Sequence, residues 1–184
     1  MLEGQIVTED VQEEVGYTEE KGRKVFKPDG TYQKIAAVER HKNTGKIGVG
    51  IVKGFGLRGG AIASSVSHDS HNLIVIGDND HDMYLAVQEL LRTQGGYTLV
   101  ENGQVFDTLP LPIMGLMSDA GYEKVNEKLA RMIPKAHEMG IPEGFDPFIT
   151  LSFMALPVIP EIRITPRGVY LTQEDRMIQS PFDR

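Results

Sequence analysis

Six consecutive polar residues separate two apolar runs in the first half of the chain, and they are Ser67, His68, Asp69, Ser70, His71 and Asn72. We name residues 67–72 the polar segment. Imidazoles exchange protons near pH 7 and bind transition metals, and carboxylates and hydroxyls orient polar ligands. The pattern therefore indicates proton transfer, hydrogen bonding to a heterocycle, or metal binding. It does not indicate a nucleophilic triad, because neighbouring side chains on an extended chain point to opposite faces.

The polar segment also has a purely structural interpretation, in which its Asp, Ser and Asn side chains satisfy backbone donors of a turn. A second charged group, Glu39, Arg40 and His41, ends a strand-like run, where an internal salt bridge in solvent is the ordinary arrangement. This second group gains functional interest only if it lies beside the polar segment. We interpret His81 and His137, in or beside predicted helices, as surface residues.

A glycine pattern raises a third hypothesis. Gly54, Gly56 and Gly59 have the spacing of a dinucleotide-binding turn, and Asp78 follows at the end of an apolar run. In such a site the glycines let the backbone approach a pyrophosphate at a helix N-terminus. Residues 60–71 would have to form that helix, but they are mediocre helix formers without an amphipathic face. We therefore favour glycine-rich turns between strands and keep dinucleotide binding as the weaker alternative.

The elements that must position these residues are mainly strands. Closely spaced strand-like runs without intervening helices predict antiparallel pairing, and they cover residues 34–40, 46–53, 61–67 and 72–76. The glycines inside the second run indicate close backbone approach or a bulge. A possible strand at 5–8, a hairpin over 97–108 and short strands at 161–164 and 169–172 complete the strand list.

Two helices are predicted, over residues 80–93 and 119–139, and Pro134 should kink or split the second. Residues 145–160 fit either a helix or a strand, and the Met- and Pro-rich stretch 109–118 is assigned to the core or to a subunit interface. The predicted fold class is α+β, a mainly antiparallel sheet with two or three helices packed on it, to one side.

Bulk composition narrows the class of protein. A chain of 184 residues with 40% hydrophobic and 24% charged residues fits one globular domain. We divide it into an N-terminal connector or arm, residues 1–34, and a main domain, residues 35–184. The net charge of -7 argues against nucleic acid as a partner, and the absence of cysteine excludes disulfides and thiolate sites. No long apolar run or signal peptide is found, so we expect no membrane partner and a cytoplasmic location.

Several long motifs resemble one family. They are the Ile-Ala-x-x-Glu-Arg-His strand at 35–41, the glycine-rich strand and turn at 48–56, the polar segment with the residues before it at 62–72, and the stretches at 3–8, 109–118 and 150–160. Together they resemble the C-terminal domain of bacterial adenine deaminases, members of the amidohydrolase superfamily. The resemblance covers nearly the whole chain.

The resemblance implies a metal-dependent enzyme of which this chain is one part. In the family a preceding barrel holds one or two divalent metals, Mn or Fe, through histidines that begin with a His-x-His pair and through carboxylates. The metal activates a water that converts adenine to hypoxanthine and ammonia. This chain has no His-x-His pair. We therefore expect no catalytic metal in this chain and little or no adenine deamination by the chain alone.

The resemblance further implies a wall or lid over the active site of that barrel. The candidate catalytic residues are His68, Asp69 and His71, and the candidate adenine-binding residues are Ser67, Ser70, Asn72, Glu39, Arg40 and His41. The implied partners are adenine, the barrel domain and further copies of the chain in a homo-oligomer. The alternative function is a non-catalytic module for oligomerisation or ligand binding.

Overall fold

A six-stranded antiparallel sheet in the order β4-β3-β6-β5-β7-β8 organises the computed structural model, which describes residues 4–178. The strands are β1 (Tyr17–Glu20), β2 (Arg23–Phe26), β3 (Tyr32–Val38), β4 (Ile47–Lys53), β5 (Gly60–Ser64), β6 (Leu73–Gly77), β7 (Gly96–Glu101), β8 (Gln104–Pro110), β9 (Ile162–Thr165), β10 (Gly168–Leu171) and β11 (Arg176–Ile178). The helices are α1 (Asp80–Arg92), α2 (Tyr122–Glu138) and α3 (Pro147–Phe153). Small sheets β1-β2 and β11-β10-β9 accompany the large one.

The predicted α+β class is confirmed, as is the antiparallel pairing of the four closely spaced strands. The placement of the helices is different from the prediction. The α2 and α3 helices and the β9-β10 hairpin cover one face of the large sheet, whereas α1 covers the other. The reason lies in β5 and β6, which are buried at every position and therefore need cover on both faces.

Local signals set the helix boundaries. The side chain of Asn79 caps α1 by accepting the Asp82 N–H, and the side chain of Asp146 caps α3 by accepting two N–H groups of its first turn. The stretch 145–160, which fitted either a helix or a strand, contains the α3 helix. Pro134 does not split α2, whose buried Met132 and Ala136 hold both sides of the proline against the sheet.

The dinucleotide hypothesis is wrong, because the strand β5 and not a helix follows Gly59. The carboxylate of Asp78 accepts hydrogen bonds from the backbone N–H groups of Gly59 and Gly60, at 2.5 and 3.0 Å. The acid that would have bound a ribose instead closes a turn between strands.

Residues before β3 contain more structure than the predicted arm. The β1-β2 hairpin was not predicted, and Thr8 is buried against residues 160–163 rather than forming a regular strand. Thr8 N–H donates to the Pro160 carbonyl at 3.2 Å, and the buried guanidinium of Arg163 donates to Thr8 Oγ1 at 2.8 Å. These contacts hold the segment before β1 against residues 160–163.

Gly48 in β4 confirms the predicted close approach of two backbones. The β9-β10 hairpin crosses β4, and a Cβ atom at Gly48 would lie only 1.9 Å from the carbonyl oxygen of Thr165. At Gly50, two residues on, a Cβ atom would meet the Val169 side chain at 3.2 Å. The hairpin can therefore lie this close to the sheet only because residue 48 is a glycine and has no side chain.

Candidate functional site

The polar segment connects the two central strands β5 and β6 at one end of the large sheet. The strand β3 pairs with β6 so that Val38 lies opposite Leu73. The residues after Val38 therefore leave the sheet beside the end of the polar segment, and the Arg40 backbone N–H donates to Asn72 Oδ1 at 3.3 Å. The structure thus brings together the two groups that the sequence left as separate candidates, Glu39, Arg40 and His41 with residues 67–72.

Arg40 joins three segments through its backbone and side chain. Besides the bond to Asn72, its Nε donates to the His71 carbonyl, and its Nη2 donates to the Met114 carbonyl at 2.8 Å. Partial burial lowers the pKa of Arg40 from its ordinary value. The guanidinium donates to two backbone carbonyls, and these bonds position the polar segment against residues 113–117.

His41 and Asn72 fix the outer part of the polar segment. His41 Nε2 donates to the Ser70 carbonyl at 2.6 Å, and Asn72 Nδ2 donates to Ser70 Oγ at 3.1 Å. Because a carbonyl can only accept, the Nε2 atom of His41 carries a proton. These two side chains maintain the shape of the polar segment.

Glu39 closes the turn that follows β3. Its carboxylate accepts the backbone N–H groups of His41, Lys42 and Thr44 and the Thr44 hydroxyl, at 2.5 to 3.0 Å. These hydrogen bonds, led by the one from the Thr44 backbone, lower the pKa of Glu39 to about 2. Glu39 therefore stabilises the turn directly. It also supports the polar segment indirectly, because the turn contains His41, which bonds to the Ser70 carbonyl.

The order of this turn is expected to depend on pH. Since the pKa of Glu39 is about 2 in the folded chain against an ordinary value of 4.5, its carboxylate stabilises the turn above pH 4.5. That contribution is lost as the pH falls from 4.5 towards 2. An NMR titration should show the Lys42 and Thr44 amides shifting in this window, and the shift should be absent in Glu39→Gln. A Glu39 carboxyl that titrates near 4.5 contradicts the capping role.

Ser67 and His71 are linked by two hydrogen bonds inside the polar segment. The His71 backbone N–H donates to the Ser67 carbonyl at 2.6 Å, and the Ser67 N–H donates to His71 Nδ1 at 3.3 Å. Burial lowers the pKa of His71, and the positive charges of His68 and Arg40 lower it further. Ser67 Oγ is buried and has no hydrogen-bond partner among residues 4–178.

His68 and Asp69 have accessible side chains and precede the exposed Ser70 in the polar segment. The His68 ring stacks on Phe153 with centroids 5.0 Å apart and approaches the His71 ring edge-on at 5.4 Å. The Asp69 carboxylate lies 3.8 Å from His68 Nδ1 and is 84% exposed. An imidazole backed by an aromatic ring and flanked by a free carboxylate is suited to binding or protonating a planar heterocycle.

The remaining histidines lie elsewhere. His81 is exposed, as predicted, whereas His137 is half-buried and its Nδ1 bonds to the Ile141 carbonyl at 3.0 Å. Within residues 4–178, no three His, Asp or Glu side chains are grouped as metal ligands. His71 Nδ1 accepts the Ser67 N–H at 3.3 Å, so Nε2 is the ring nitrogen left to contact a ligand.

Two contacts of the polar segment were not anticipated from the sequence, those to Phe153 and Met114. Part of the stretch 109–118, predicted as core or subunit interface, lies in the core: Leu109 and Leu111 are buried, whereas Ile113, Met114 and Met117 are exposed. The exposed part is joined to the polar segment through Arg40. In the sequence, the only sign that this stretch differs from ordinary core is its unusual content of Met and Pro.

Comparisons with known proteins identify relatives of this chain. The family model described as "Adenine deaminase C-terminal domain" matches residues 5–176. The chain is 54% identical over 179 residues to an adenine deaminase of Desulfitobacterium hafniense (strain Y51), covering 97% of this chain and 31% of the relative. It is 49% identical over 147 residues to an adenine deaminase of Bacillus subtilis (strain 168), covering 79% of this chain and 26% of the relative.

The fold and the polar segment define an α+β domain that presents histidines on the connection between two central strands. The chain belongs to the adenine deaminase C-terminal domain family. It spans less than a third of the length of these curated relatives. Within residues 4–178, no helix is long and apolar enough to cross a membrane.

Proposed function

We propose that this chain serves as the C-terminal part of an adenine deaminase and that the polar segment forms a wall of the active site. The observation that supports the proposal most is the accessible His68–Asp69 pair, which lies next to His71 on a connection that Arg40 and His41 hold in place. A site wall needs such fixed polar groups, because misplacement by about 1 Å can cost 100-fold in rate.

The proposal divides the chemistry between two domains. A divalent metal, Mn or Fe, held by the preceding barrel would supply the activated water that attacks adenine. The polar segment would exclude bulk water and orient the purine. His68, Asp69 and His71 remain the proposed catalytic candidates. Ser67, Ser70 and Asn72 are proposed binding residues, with Glu39, Arg40 and His41 as their supports.

An assembly surface is a second part of the proposal. Ile113, Met114 and Met117 are exposed beside the polar segment, and exposed apolar groups of this kind commonly mark interfaces. We propose that they contact the barrel or another copy of the protein, consistent with a homo-oligomer in the cytoplasm. The division into a connector, residues 1–34, and a main domain, residues 35–184, belongs to the same proposal.

The test uses a chimera of the D. hafniense adenine deaminase in which this chain replaces the matching segment; we name this protein the chimera. Substitution by alanine at His68, Asp69 and His71 is expected to lower the kcat/KM for adenine by about tenfold each, the range of one lost polar contact to a ligand. The matched control is His81→Ala, at an exposed helix position away from the polar segment.

The alternative function gives a different result in the same assay. If all three variants stay within about twofold of the unsubstituted chimera, the polar segment is not a wall of the site. A loss of activity that follows dissociation of the chimera's subunits, measured by sedimentation, would favour the non-catalytic oligomerisation module.

A further inference from the structure

The hydrogen bonds around His71 determine which of its nitrogens carries the proton. A backbone N–H can only donate, so the contact of 3.3 Å from Ser67 N to His71 Nδ1 requires a lone pair on Nδ1. A neutral imidazole with a lone pair on Nδ1 has its hydrogen on Nε2. The bond of 2.6 Å from the His71 N–H to the Ser67 carbonyl closes the loop and keeps the ring in register with Ser67.

The surroundings of His71 favour this neutral form. Protonation of Nδ1 would place its hydrogen against the Ser67 N–H. Burial lowers the pKa of His71, and electrostatic interaction with His68, Arg40 and His41 lowers it further, against the opposing effect of Asp69. The ring therefore stays uncharged near pH 7, with a fixed tautomer.

The Nε2 hydrogen is available to a ligand. Within residues 4–178, His71 Nε2 has no hydrogen-bond partner, and it is not among the side-chain atoms that are buried without one. The neighbouring Ser67 hydroxyl is buried and, in the described part of the chain, also has no hydrogen-bond partner. A half-buried donor with a fixed direction contributes more to recognition than a freely solvated one, since little order is lost when it binds.

We propose that His71 Nε2–H donates a hydrogen bond to an uncharged acceptor nitrogen of the purine ring, and so acts as a binding and orienting residue and not as a base. This inference rests on the proposed function, because it takes the ligand of the polar segment to be a purine. A nitrogen that already holds a proton cannot accept one, whereas it can donate to the lone pair of an aromatic nitrogen. A neutral donor also fits an uncharged heterocycle better than an anion.

The first arm of the test measures the tautomer directly in this chain. Two-dimensional 15N NMR of the histidine side chains should show an unprotonated Nδ1 and a protonated Nε2 at His71 between about pH 6 and pH 8. Ser67→Ala keeps the backbone N–H and should leave that pattern unchanged. A proton on Nδ1, or a doubly protonated ring at pH 7, overturns the assignment.

The second arm measures the role in the chimera. His71→Asn keeps a residue tolerant of the positive φ of 48° at this position but loses the reach of the imidazole. We expect the KM for adenine to rise about tenfold while kcat stays within about twofold. A fall in kcat with unchanged KM, together with loss of the acid limb of the pH profile, would show that His71 is a base and overturn the inference.

The outcomes separate this inference from the proposed function. If His71→Asn has no effect whereas His68→Ala and Asp69→Ala lower kcat/KM, the inference about His71 is wrong and the active-site wall stands. If none of the three variants changes kcat/KM, the proposed function fails and the inference fails with it.

Discussion

Arg40→Met in the chimera is expected to lower the kcat/KM for adenine by about 100-fold, which is the cost of misplacing an active-site element by about 1 Å. The Arg40 side chain donates to the His71 and Met114 carbonyls, and methionine keeps most of the aliphatic stem but removes both bonds. The polar segment and residues 113–117 would then lose their common anchor. Steady-state kinetics of the purified chimera, with thermal unfolding monitored in parallel, measure the effect.

The matched control for this prediction is Arg167→Met, which removes the same charge from an exposed position in the turn between β9 and β10. It is expected to stay within about twofold of the parent, because surface charges contribute little by themselves. Equal kinetic constants for Arg40→Met and Arg167→Met would contradict the role of Arg40 as the anchor of the polar segment.

Gly48→Ala is expected to lower the free energy of unfolding by about 3 kcal/mol, the upper range for overpacking a closely packed site. The added methyl group would lie 1.9 Å from the Thr165 carbonyl oxygen, and that atom belongs to backbone that cannot rotate away. The β9-β10 hairpin would have to move off the sheet. Urea unfolding of this chain, followed by circular dichroism, gives the value.

Gly50→Ala provides the comparison within the same strand. There the methyl group would meet the side chains of Val169 at 3.2 Å, Ile164 at 3.5 Å and Ile35 at 3.6 Å, and side chains can shift by a few tenths of an ångström. We expect a loss below about 1 kcal/mol. Unfolding midpoints that coincide for the two variants would refute the close approach at Gly48.

Local chemistry made part of the fold predictable. The α1 helix was predicted because apolar residues recur at spacings of three and four after a run of capping residues, and the Asn-Gly turn specified the β7-β8 hairpin. The α3 helix was left undecided because its seven residues are too few for periodicity to separate a helix from a buried strand. Capping by Asp146 followed by Pro147 was the signal that decides it.

Long-range packing was not predictable from the same patterns. The helices were placed on one side of the sheet, although the uninterrupted burial of β6 requires cover on both faces. The Arg40–Met114 contact joins residues 74 positions apart, and no local pattern encodes it. The approach of Arg40 to Asn72 depends on the register of β3 with β6, which the sequence does not specify by itself.

The candidate site shows the same division. The residue types of the polar segment suggested hydrogen bonding and proton transfer, because this chemical capacity belongs to the side chains themselves and can be read from the sequence. The roles of the supporting residues could be assigned only from the three-dimensional structure. Glu39 closes a turn, and His41 donates a hydrogen bond to the Ser70 carbonyl. The free nitrogen of His71 follows from a single backbone contact with Ser67.

The central claim, that the polar segment faces the purine, is tested most directly by a crystal structure of the chimera with hypoxanthine bound. We expect at least one hydrogen bond of about 2.7–3.2 Å between a side chain of residues 67–72 and a ring nitrogen or the oxygen of hypoxanthine. His71 Nε2 is the expected donor. A structure in which residues 67–72 face solvent, with hypoxanthine contacted only by the barrel, would contradict the account.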